Sequence, residues 1–204
     1  MSRLTVGSIE GLTENSNVIS VPTGHKLNVT DAAGLQIGGS AVVSAGLVHI
    51  SRTTIGSAVS SVTVSNAFSA DYDNYKVVLR VLSTSGGIYF EPTLGSATTG
   101  YSRLNFGGSY TDFNVGVTKY GTANTTNFND FITMNTGGMG GWLEIQSPFL
   151  TETTHVQGIF AHNSGCGVAM GYLNDTTSHS SITFNTTSGT VTGGTIDVYG
   201  YAKA

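Results

Sequence analysis

The sequence predicts an all-β protein, with a short strand-rich N-terminal arm followed by a β-sandwich. Only 10% of the 204 residues are charged while 39% are hydrophobic, a balance typical of a folded chain rather than a disordered one. The polar remainder is mostly Ser, Thr, Asn and Gly, which suit strand surfaces and turns but not helix interiors. Short apolar stretches alternate with turn signals roughly every 8–12 residues, the spacing of sandwiches and barrels.

The stretch Tyr75–Leu82, YKVVLRVL, predicts the central strand of the sandwich. It is the longest apolar run of the chain, it is rich in β-branched residues, and it follows the turn-forming segment 71–74. At period two, Lys76 and Arg80 fall on one face, so we expect that face to be only partly covered. The opposite face is expected to lie in the core, and its residues are Tyr75, Val77, Leu79 and Val81.

Strands and turns are predicted to alternate over the rest of the chain, without helices. The predicted strands are Leu47–Ile50, Val59–Val64, Tyr75–Leu82, Ile88–Glu91, Tyr101–Phe106, Asn114–Tyr120, Phe128–Met134, Trp142–Gln146, Thr154–Ala161, Val168–Leu173, Ser181–Asn185 and Gly194–Ala202. About ten strands in the roughly 150 residues after the first connections favour a jelly-roll-like sandwich. An extended β-prism that runs the whole length is the alternative.

Proline and glycine refine this prediction. Pro92 cannot donate a ladder hydrogen bond, so the strand that contains it is predicted to lie at a sheet edge. The polar stretch Gly121–Asn127 is predicted to be a loop. The stretch Asn135–Gly141 contains four glycines and is predicted to be a mobile loop. Ser147–Pro148 is expected to end the strand Trp142–Gln146.

The first 45 residues are expected to form a distinct arm. Its apolar segments are only three to four residues long, and turn signals such as Pro22–Gly24 separate them. Thirteen large aliphatic residues lie between Leu4 and Val43, too few to offset the conformational entropy of ordering the segment. We therefore expect the arm to share a core with identical arms around a common axis, or to bind a socket on another protein. The predicted domains are 1–50 for the arm and 51–204 for the sandwich.

Composition excludes several classes of protein. The net charge is −4 and the sequence has no Lys/Arg cluster, so nucleic-acid binding is not expected. No apolar run approaches the length of a membrane span, and the N-terminus lacks the apolar region of a signal peptide. The single Cys166 excludes an internal disulfide framework. We expect a protein that is made and assembled inside a cell without secretion.

The sequence contains no common catalytic motif: neither a G-x-S-x-G elbow, nor H-E-x-x-H, nor a phosphate-binding loop. Glu152, His155, His162 and Cys166 lie close in sequence, but zinc needs four suitably spaced ligands, and the two histidines fall on opposite faces of a strand. A Cys166 nucleophile is also disfavoured, because no orienting partner is evident. We expect one surface His, one His near the core and a small buried Cys.

Two further groups of side chains have a structural and a functional interpretation. Asp71 and Asp73 have the spacing of a weak calcium loop but lack its bidentate Glu and central Gly, so a capped turn is predicted. Tyr199 and Tyr201 share a face, where core or subunit packing is favoured over stacking against a sugar. The same choice applies to other aromatic residues, namely Tyr101, Tyr110, Tyr120 and Trp142. No catalytic, metal-binding or cofactor-binding residue is predicted.

Motifs at both ends of the chain resemble a known family. The runs V-P-T-G-H-K-L-N-V-T-D (Val21–Asp31) and L-Q-I-G-G (Leu35–Gly39) resemble the N-terminal segment of virion structural and tail-fibre proteins of tailed bacteriophages, especially marine and cyanobacterial ones. An opening Y-D-N-Y-K-V-V-L-R (Tyr72–Arg80) and a closing G-G-T-I-D-V-Y-G-Y (Gly193–Tyr201) are similar to the jelly-roll heads of such fibres. The resemblance thins out between about 101 and 192, and it carries over no active-site residue.

The resemblance implies a homotrimeric, non-enzymatic virion component that is assembled in the host cytoplasm. In a tail fibre or appendage, the arm would attach to other virion proteins and the head would meet the host surface, with a surface glycan as a further partner. A capsid decoration protein seated on the shell is the alternative, because the chain is short for a long fibre. A glycan-cleaving enzyme is the third hypothesis. It is disfavoured because acidic residues are sparse, and Asp130 or Glu144 would have to provide the catalysis.

Overall fold

The computed structural model describes most of the chain after residue 45 and short pieces before it. The described residues are 22–25, 36–37, 40–41, 46–83, 88–110 and 120–203. The chain divides into two units, Met1–Val43 and Ser44–Ala204. The boundary predicted near residue 50 falls inside a strand of the second unit.

The first unit is described at two places. Pro22–His25 forms a turn in which the His25 N–H donates to the Pro22 carbonyl oxygen at 3.0 Å, as the turn signal there predicts. Strands β1 (Gln36–Ile37) and β2 (Ser40–Ala41) form a two-stranded antiparallel sheet. The other predicted strands of the arm, and most of the Val21–Asp31 motif, lie outside the described residues.

The second unit is all β, which confirms the predicted fold class. Its described residues form twelve strands and no helix, and all strand pairs are antiparallel. The strands are β3 (Leu47–Ile55), β4 (Ser61–Val64), β5 (Asn74–Ser83), β6 (Ile88–Leu94), β7 (Tyr101–Ser109), β8 (Tyr120–Thr125), β9 (Ile132–Met134), β10 (Met139–Gln146), β11 (Thr154–His162), β12 (Gly165–Leu173), β13 (Ile182–Thr186) and β14 (Val191–Tyr201).

These strands form two sheets that enclose one hydrophobic core. The large sheet has the strand order β3-β14-β5-β10-β11-β12-β7-β8, and the small sheet has the order β4-β13-β6-β9. Both sheets contribute buried side chains to the core, among them Leu143 and Val198 from the large sheet and Phe90 and Phe184 from the small sheet. Because the small sheet has half as many strands, it covers only part of the inner face of the large one.

Strand β5 is the central strand that the sequence predicts. It lies between β14 and β10, with pairing along almost its whole length. Its inward residues Tyr75, Val77, Leu79 and Val81 are buried, while Arg80 on the other face is exposed. The buried Tyr75 hydroxyl donates to the Ser69 carbonyl oxygen at 2.7 Å, so its polar end is satisfied inside the turn that precedes the strand.

The predicted edge position of the Pro92 strand is wrong. Strand β6 lies between β13 and β9 and is paired on both sides. Pro92 is nevertheless tolerated, because β9 pairs only with Ile88–Phe90 and ends before the proline. The Pro92 carbonyl points to that open side, where it accepts from the Phe128 N–H at 3.1 Å, and the missing N–H would point the same way.

The first of the two predicted loops is largely a strand, and the second is a tight turn followed by the start of a strand. In the predicted loop Gly121–Asn127, the residues from Gly121 to Thr125 belong to β8. Only Thr126 and Asn127 lie in a bend. In Asn135–Gly141, a tight turn ends at Gly138 and β10 begins at Met139. Gly138 has φ +92° and a Cβ there would lie 1.9 Å from the Val81 carbonyl oxygen, so close backbone packing rather than mobility requires glycine.

The other strand predictions hold to within a few residues, with two exceptions. Phe128–Met134 is strand only from Ile132, because the residues before it form a turn that closes over the core. The predicted strand Asn114–Tyr120 lies outside the described residues except for Tyr120, which begins β8. The predicted alternation of Trp142–Gln146 is confirmed, since Leu143 and Ile145 are buried. The described part of the chain has no helix that is long and apolar enough to cross a membrane.

Candidate functional site

The outer face of the large sheet carries a continuous row of apolar side chains. Val78 of β5 pairs with Trp142 of β10, and Trp142 pairs with Ile159 of β11. Ile159 in turn pairs with Val168 of β12, and Val168 pairs with Phe106 of β7. Paired residues of antiparallel strands lie side by side on one face, so these five side chains form one line across five strands.

Further apolar side chains widen this row on β12 and β7. Ile159 is 47% exposed and Met170 is 41% exposed, and Leu104, Val168 and Tyr172 are exposed to similar extents. Val78, Phe106 and Trp142 are half-buried. We call this surface the outer apolar face; its residues are Val78, Leu104, Phe106, Trp142, Ile159, Val168, Met170 and Tyr172. Single exposed apolar residues are common on soluble proteins, whereas contiguous apolar patches are typical of interaction surfaces.

Strand β12 reverses the usual placement of large and small residues. Its inward residues are mostly small, and its outward residues from Val168 to Tyr172 are large. The inward positions have no room for side chains: a Cβ on Gly167 would lie 2.4 Å from the Phe160 ring, and one on Gly171 would lie 2.7 Å from the Phe128 ring. The core is therefore filled from other strands, and folding alone does not explain the large residues outside.

A belt of paired charges lies beside the outer apolar face. Asp197 is buried on the outer side of β14, where it accepts from Arg52 Nε at 2.6 Å, and His49 Nε2 lies 3.5 Å from the same carboxylate oxygen. Burial raises the pKa of the Asp197 carboxyl, but the hydrogen bond and charge of Arg52 outweigh it. The net pKa lies below the usual range. This carboxylate therefore stays ionised and neutralised by its neighbours.

A second charged group joins the belt to the apolar row. Lys76 Nζ donates to Glu144 Oε1 at 3.0 Å and lies 4.3 Å from the centre of the Trp142 ring. The Tyr201 hydroxyl donates to Glu144 Oε2 at 2.6 Å, and burial together with this carboxylate raises the pKa of Tyr201 to about 12. The predicted face shared by Tyr199 and Tyr201 thus belongs to this belt, where Tyr199 packs edge-on against His49 at 5.2 Å.

A cavity of about 340 Å³ lies beside β9, the edge strand of the small sheet. Asn105 and Phe160 from the large sheet line it, together with Tyr89 and Thr133 from the small sheet and Asp130 from the turn before β9. The sequence gives no motif for this cavity, because its residues come from five separate segments. Its lining mixes aromatic rings with short polar side chains, which is typical of small-molecule sites.

The predicted candidates around Cys166 are not brought together. His155 is exposed on the outer face of β11, whereas His162 lies on the inner side and is half-buried. Cys166 is exposed and points outward, so the expected small buried Cys is wrong, and His162 faces away from it. Glu152 accepts instead from the Ser147 hydroxyl. Within the described residues, no group of three or more His, Cys, Asp and Glu side chains could hold a metal ion.

The other candidates also fall in separate environments. Asp71 and Asp73 lie in the predicted turn, where Asp71 accepts from the Ser69 hydroxyl and Asp73 pairs with Lys203 at 2.8 Å. Asp130 and Glu144 lie on different sides of the large sheet and do not form the carboxylate pair of a glycosidase. Tyr101 is fully buried, with its hydroxyl accepting from the Leu94 N–H, and burial raises its pKa to about 12.

Sequence reasoning missed both main features of the surface. In the outer apolar face, a signal was present: Gly-Cys-Gly-Val-Ala-Met-Gly-Tyr (165–172) alternates small and larger residues, and period two assigns the large ones to a single face. The cavity had no such signal. Comparisons with protein-family models, curated proteins and solved structures give no match to this chain.

Proposed function

We propose that this protein is a non-enzymatic structural subunit of a bacteriophage particle, of the tail-fibre or appendage type, and that it associates with copies of itself through the outer apolar face. The reversed pattern of β12 carries the proposal. Val168, Met170 and Tyr172 contribute nothing to the core of their own sandwich, and a partner surface that covered them would supply the apolar burial that they lack within one chain.

A second copy of this chain is the occupant that the face suits best. Eight strands about 4.8 Å apart, each rising about 3.3 Å per residue over some nine residues, give the whole outer side of the large sheet an area on the order of 1,000 Å², and the outer apolar face occupies part of it, on five of the eight strands. A standard protein interface needs about 800 Å² from each partner. The adjoining charges are already paired within one subunit, as Lys76–Glu144 and Arg52–Asp197, so copies can approach without strong mutual repulsion.

The topology supports the jelly-roll assignment within this proposal. The order β3-β14-β5-β10 in the large sheet faces the order β4-β13-β6-β9 in the small sheet. The chain passes from one sheet to the other at each step from β3 to β6, which gives eight strands arranged as two Greek keys. We interpret β7–β8 and β11–β12 as two inserted strand pairs that widen the large sheet beyond β10 and enlarge the face available for association.

A capsid decoration protein remains the second candidate. Both candidates use the same self-associating sandwich and differ in where the arm attaches. Copy number separates them, because a tail appendage is present in a few to a few dozen copies and a decoration protein in hundreds.

Two measurements test the proposal. Light scattering on the full chain at several concentrations should give the mass of three subunits, and a mass of one subunit at every concentration would contradict self-association. Deleting residues 1–45 should leave a folded sandwich, because the unit from Ser44 has its own core, but should abolish incorporation into particles. A truncated chain that is still incorporated would show that the arm is not the attachment segment.

A further inference from the structure

Two buried polar side chains lie next to the cavity beside β9, and the packing of a sandwich core does not require them. Arg103 and Asn105 both point inward from β7, and Asn105 is 7% exposed while the Arg103 side chain is 2% exposed. Burying an arginine and an amide costs free energy unless their partners compensate. Apolar residues at these two positions would have met the needs of packing, so their presence calls for a reason beyond folding.

Both buried side chains hold Asp130 in place. Asn105 Nδ2 donates to the backbone carbonyl oxygens of Asp130 and Phe131, and Arg103 Nη2 lies 3.3 Å from Asp130 Oδ2. The Asp130 N–H donates to Glu91 Oε1 at 3.2 Å, and its backbone has φ +46°, a left-handed conformation that Asp adopts more readily than most non-glycine residues. The Asp130 side chain stays 41% exposed, so a fixed carboxylate is presented to the cavity.

A second chain of hydrogen bonds ends at the same cavity. Asn135 Nδ2 donates to Ser164 Oγ, and the Ser164 N–H donates to His162 Nδ1 at 3.3 Å. Because Nδ1 accepts, the proton of the neutral ring is assigned to Nε2, which becomes a hydrogen-bond donor. Burial lowers the pKa of His162 and favours this neutral form. The cavity thus combines an oriented imidazole donor with a fixed carboxylate acceptor.

The other residues that line the cavity restrict the chemical class of ligand that it can bind. The described residues that line the cavity include no Lys or Arg, which disfavours an anion, and too few carboxylates for a metal ion. Asn105 Oδ1 is buried without a hydrogen-bond partner, so the site has an excess of acceptors. The rings of Tyr89 and Phe160 supply apolar walls. A neutral ring that carries several hydroxyl donors matches both the walls and the acceptors.

We infer that this cavity binds a monosaccharide unit, with Asp130 accepting from ring hydroxyls, His162 and Thr133 making further hydrogen bonds, and Tyr89 packing against the sugar face. The volume of about 340 Å³ admits one sugar ring, or a terminal residue of a longer glycan. This inference uses the proposed host-facing role of the sandwich only to explain where the sugar would come from. Binding itself depends on the cavity and is independent of self-association.

The test is ligand-observed NMR on the full chain with D-glucose, D-galactose, D-mannose and N-acetyl-D-glucosamine as probes. At least one sugar should show saturation transfer. Asp130→Asn removes the charge while keeping a residue that tolerates positive φ, and Thr133→Val removes one hydroxyl at constant shape. Each should weaken binding by about fivefold or more, the loss expected for one hydrogen bond. Thr93→Val on β6 lies outside the cavity and should leave binding unchanged.

Several outcomes would overturn the inference. They are the absence of binding by all four sugars, binding that neither cavity variant weakens, and equal weakening by Thr93→Val. Thermal unfolding of each variant identifies a failure to fold, and Thr133→Val carries the test if Asp130→Asn is unstable. Mass measured on the same samples separates the two proposals: a trimer without sugar binding contradicts only the cavity inference, and a monomer that binds sugar contradicts only self-association.

Discussion

The two outer faces of the sandwich differ in a way that their folding does not require. On the small sheet, every outward side chain of the strands carries a polar group: Ser61, Thr63, Tyr89, Glu91, Thr93, Thr133, Thr183 and Asn185. On the large sheet, the outward side chains of β12 after Cys166 are Val168, Met170 and Tyr172. Both faces surround the same core, so their chemistry reflects what each meets outside it. Apart from Tyr89 and Thr133, which line the cavity, the small sheet has the composition of a surface that meets water, and the outer apolar face of the large sheet has that of a contact surface.

The first prediction contrasts the inner and outer sides of one strand and has the largest expected effect. A Cβ on Gly141 would lie 2.4 Å from the Ile159 carbonyl oxygen, whereas nothing lies within 4 Å of a Cβ on its neighbour Gly140. Gly141→Ala should therefore lower the free energy of unfolding by about 2–3 kcal/mol, because backbone must shift to admit the methyl group. Gly140→Ala should leave it unchanged or slightly higher. Urea unfolding of both variants at equal concentration measures the difference.

Equal effects at the two glycines would contradict this assignment of inner and outer sides. The comparison is well matched because the residues are adjacent, belong to β10 and receive the same substitution. Any general preference of strands for alanine over glycine cancels between them.

The second prediction compares the two outer faces directly. Met170→Lys places a charge in the outer apolar face, and Thr183→Lys places one on the polar outer face of the small sheet. Met170→Lys should weaken self-association by on the order of tenfold or more, about 1.4 kcal/mol, because the charge must be desolvated at the contact. Thr183→Lys should not change association. Sedimentation equilibrium gives both constants, and equal weakening would place the contact elsewhere.

The pattern of residues along single strands was sufficient to predict much of the sandwich. β5, β10 and β11 alternate apolar and polar residues, and the side of each strand that faces the core follows from period two. β8 could not be predicted, because Tyr120–Thr125 is polar and glycine-containing and its pairing with β7 provides the strand. Pro92 was misplaced because the sequence does not show that β9 is only three residues long.

The cavity could not be predicted for a different reason. Its defining contacts join residues far apart in the chain, such as Asn105 to Asp130 and Glu91 to Asp130. None of these residues stands in a recognisable motif, and an inward Asn or Arg cannot be distinguished from an outward one while the register of β7 is unknown. The outer apolar face was more nearly predictable from the sequence. The alternation along β12 separates its large residues from its small ones, and the sequence does not show which of the two sets faces the core.

The third prediction concerns the pH dependence of stability, which we expect to depend on a histidine in the interior and not on either outer face. His179 is buried, and its Nε2 lies 3.8 Å from Asp175 Oδ2. Burial lowers the pKa of His179 below 6.5, although Asp175 partly opposes this. The unfolded chain then binds more protons than the folded one, so stability should fall as pH drops below about 6.5. His179→Gln should reduce this slope. Thermal unfolding from about pH 7.5 to 5 measures the slopes.

A pH slope that survives in His179→Gln would show that another group takes up the proton on unfolding. His162 is the next candidate, because burial lowers its pKa in the same direction. The corresponding variant, His162→Gln, would then be expected to reduce the slope.

The smallest expected effect comes from making the polar face apolar. The hydroxyl groups of Thr63 and Thr183 lie 2.9 Å apart on neighbouring strands and are exposed. Replacing both by Val keeps shape and strand preference, so the free energy of unfolding should change by less than about 0.5 kcal/mol. If polarity alone keeps this face free of partners, the double variant should show weak, non-saturating association. The stoichiometry of the proposed large-sheet contact should be unchanged, because we expect that contact to depend also on the paired residues of the outer row. A new complex of fixed stoichiometry in the double variant would mean that exposed apolar area is sufficient for specific assembly, and the distinction drawn between the two faces would fail.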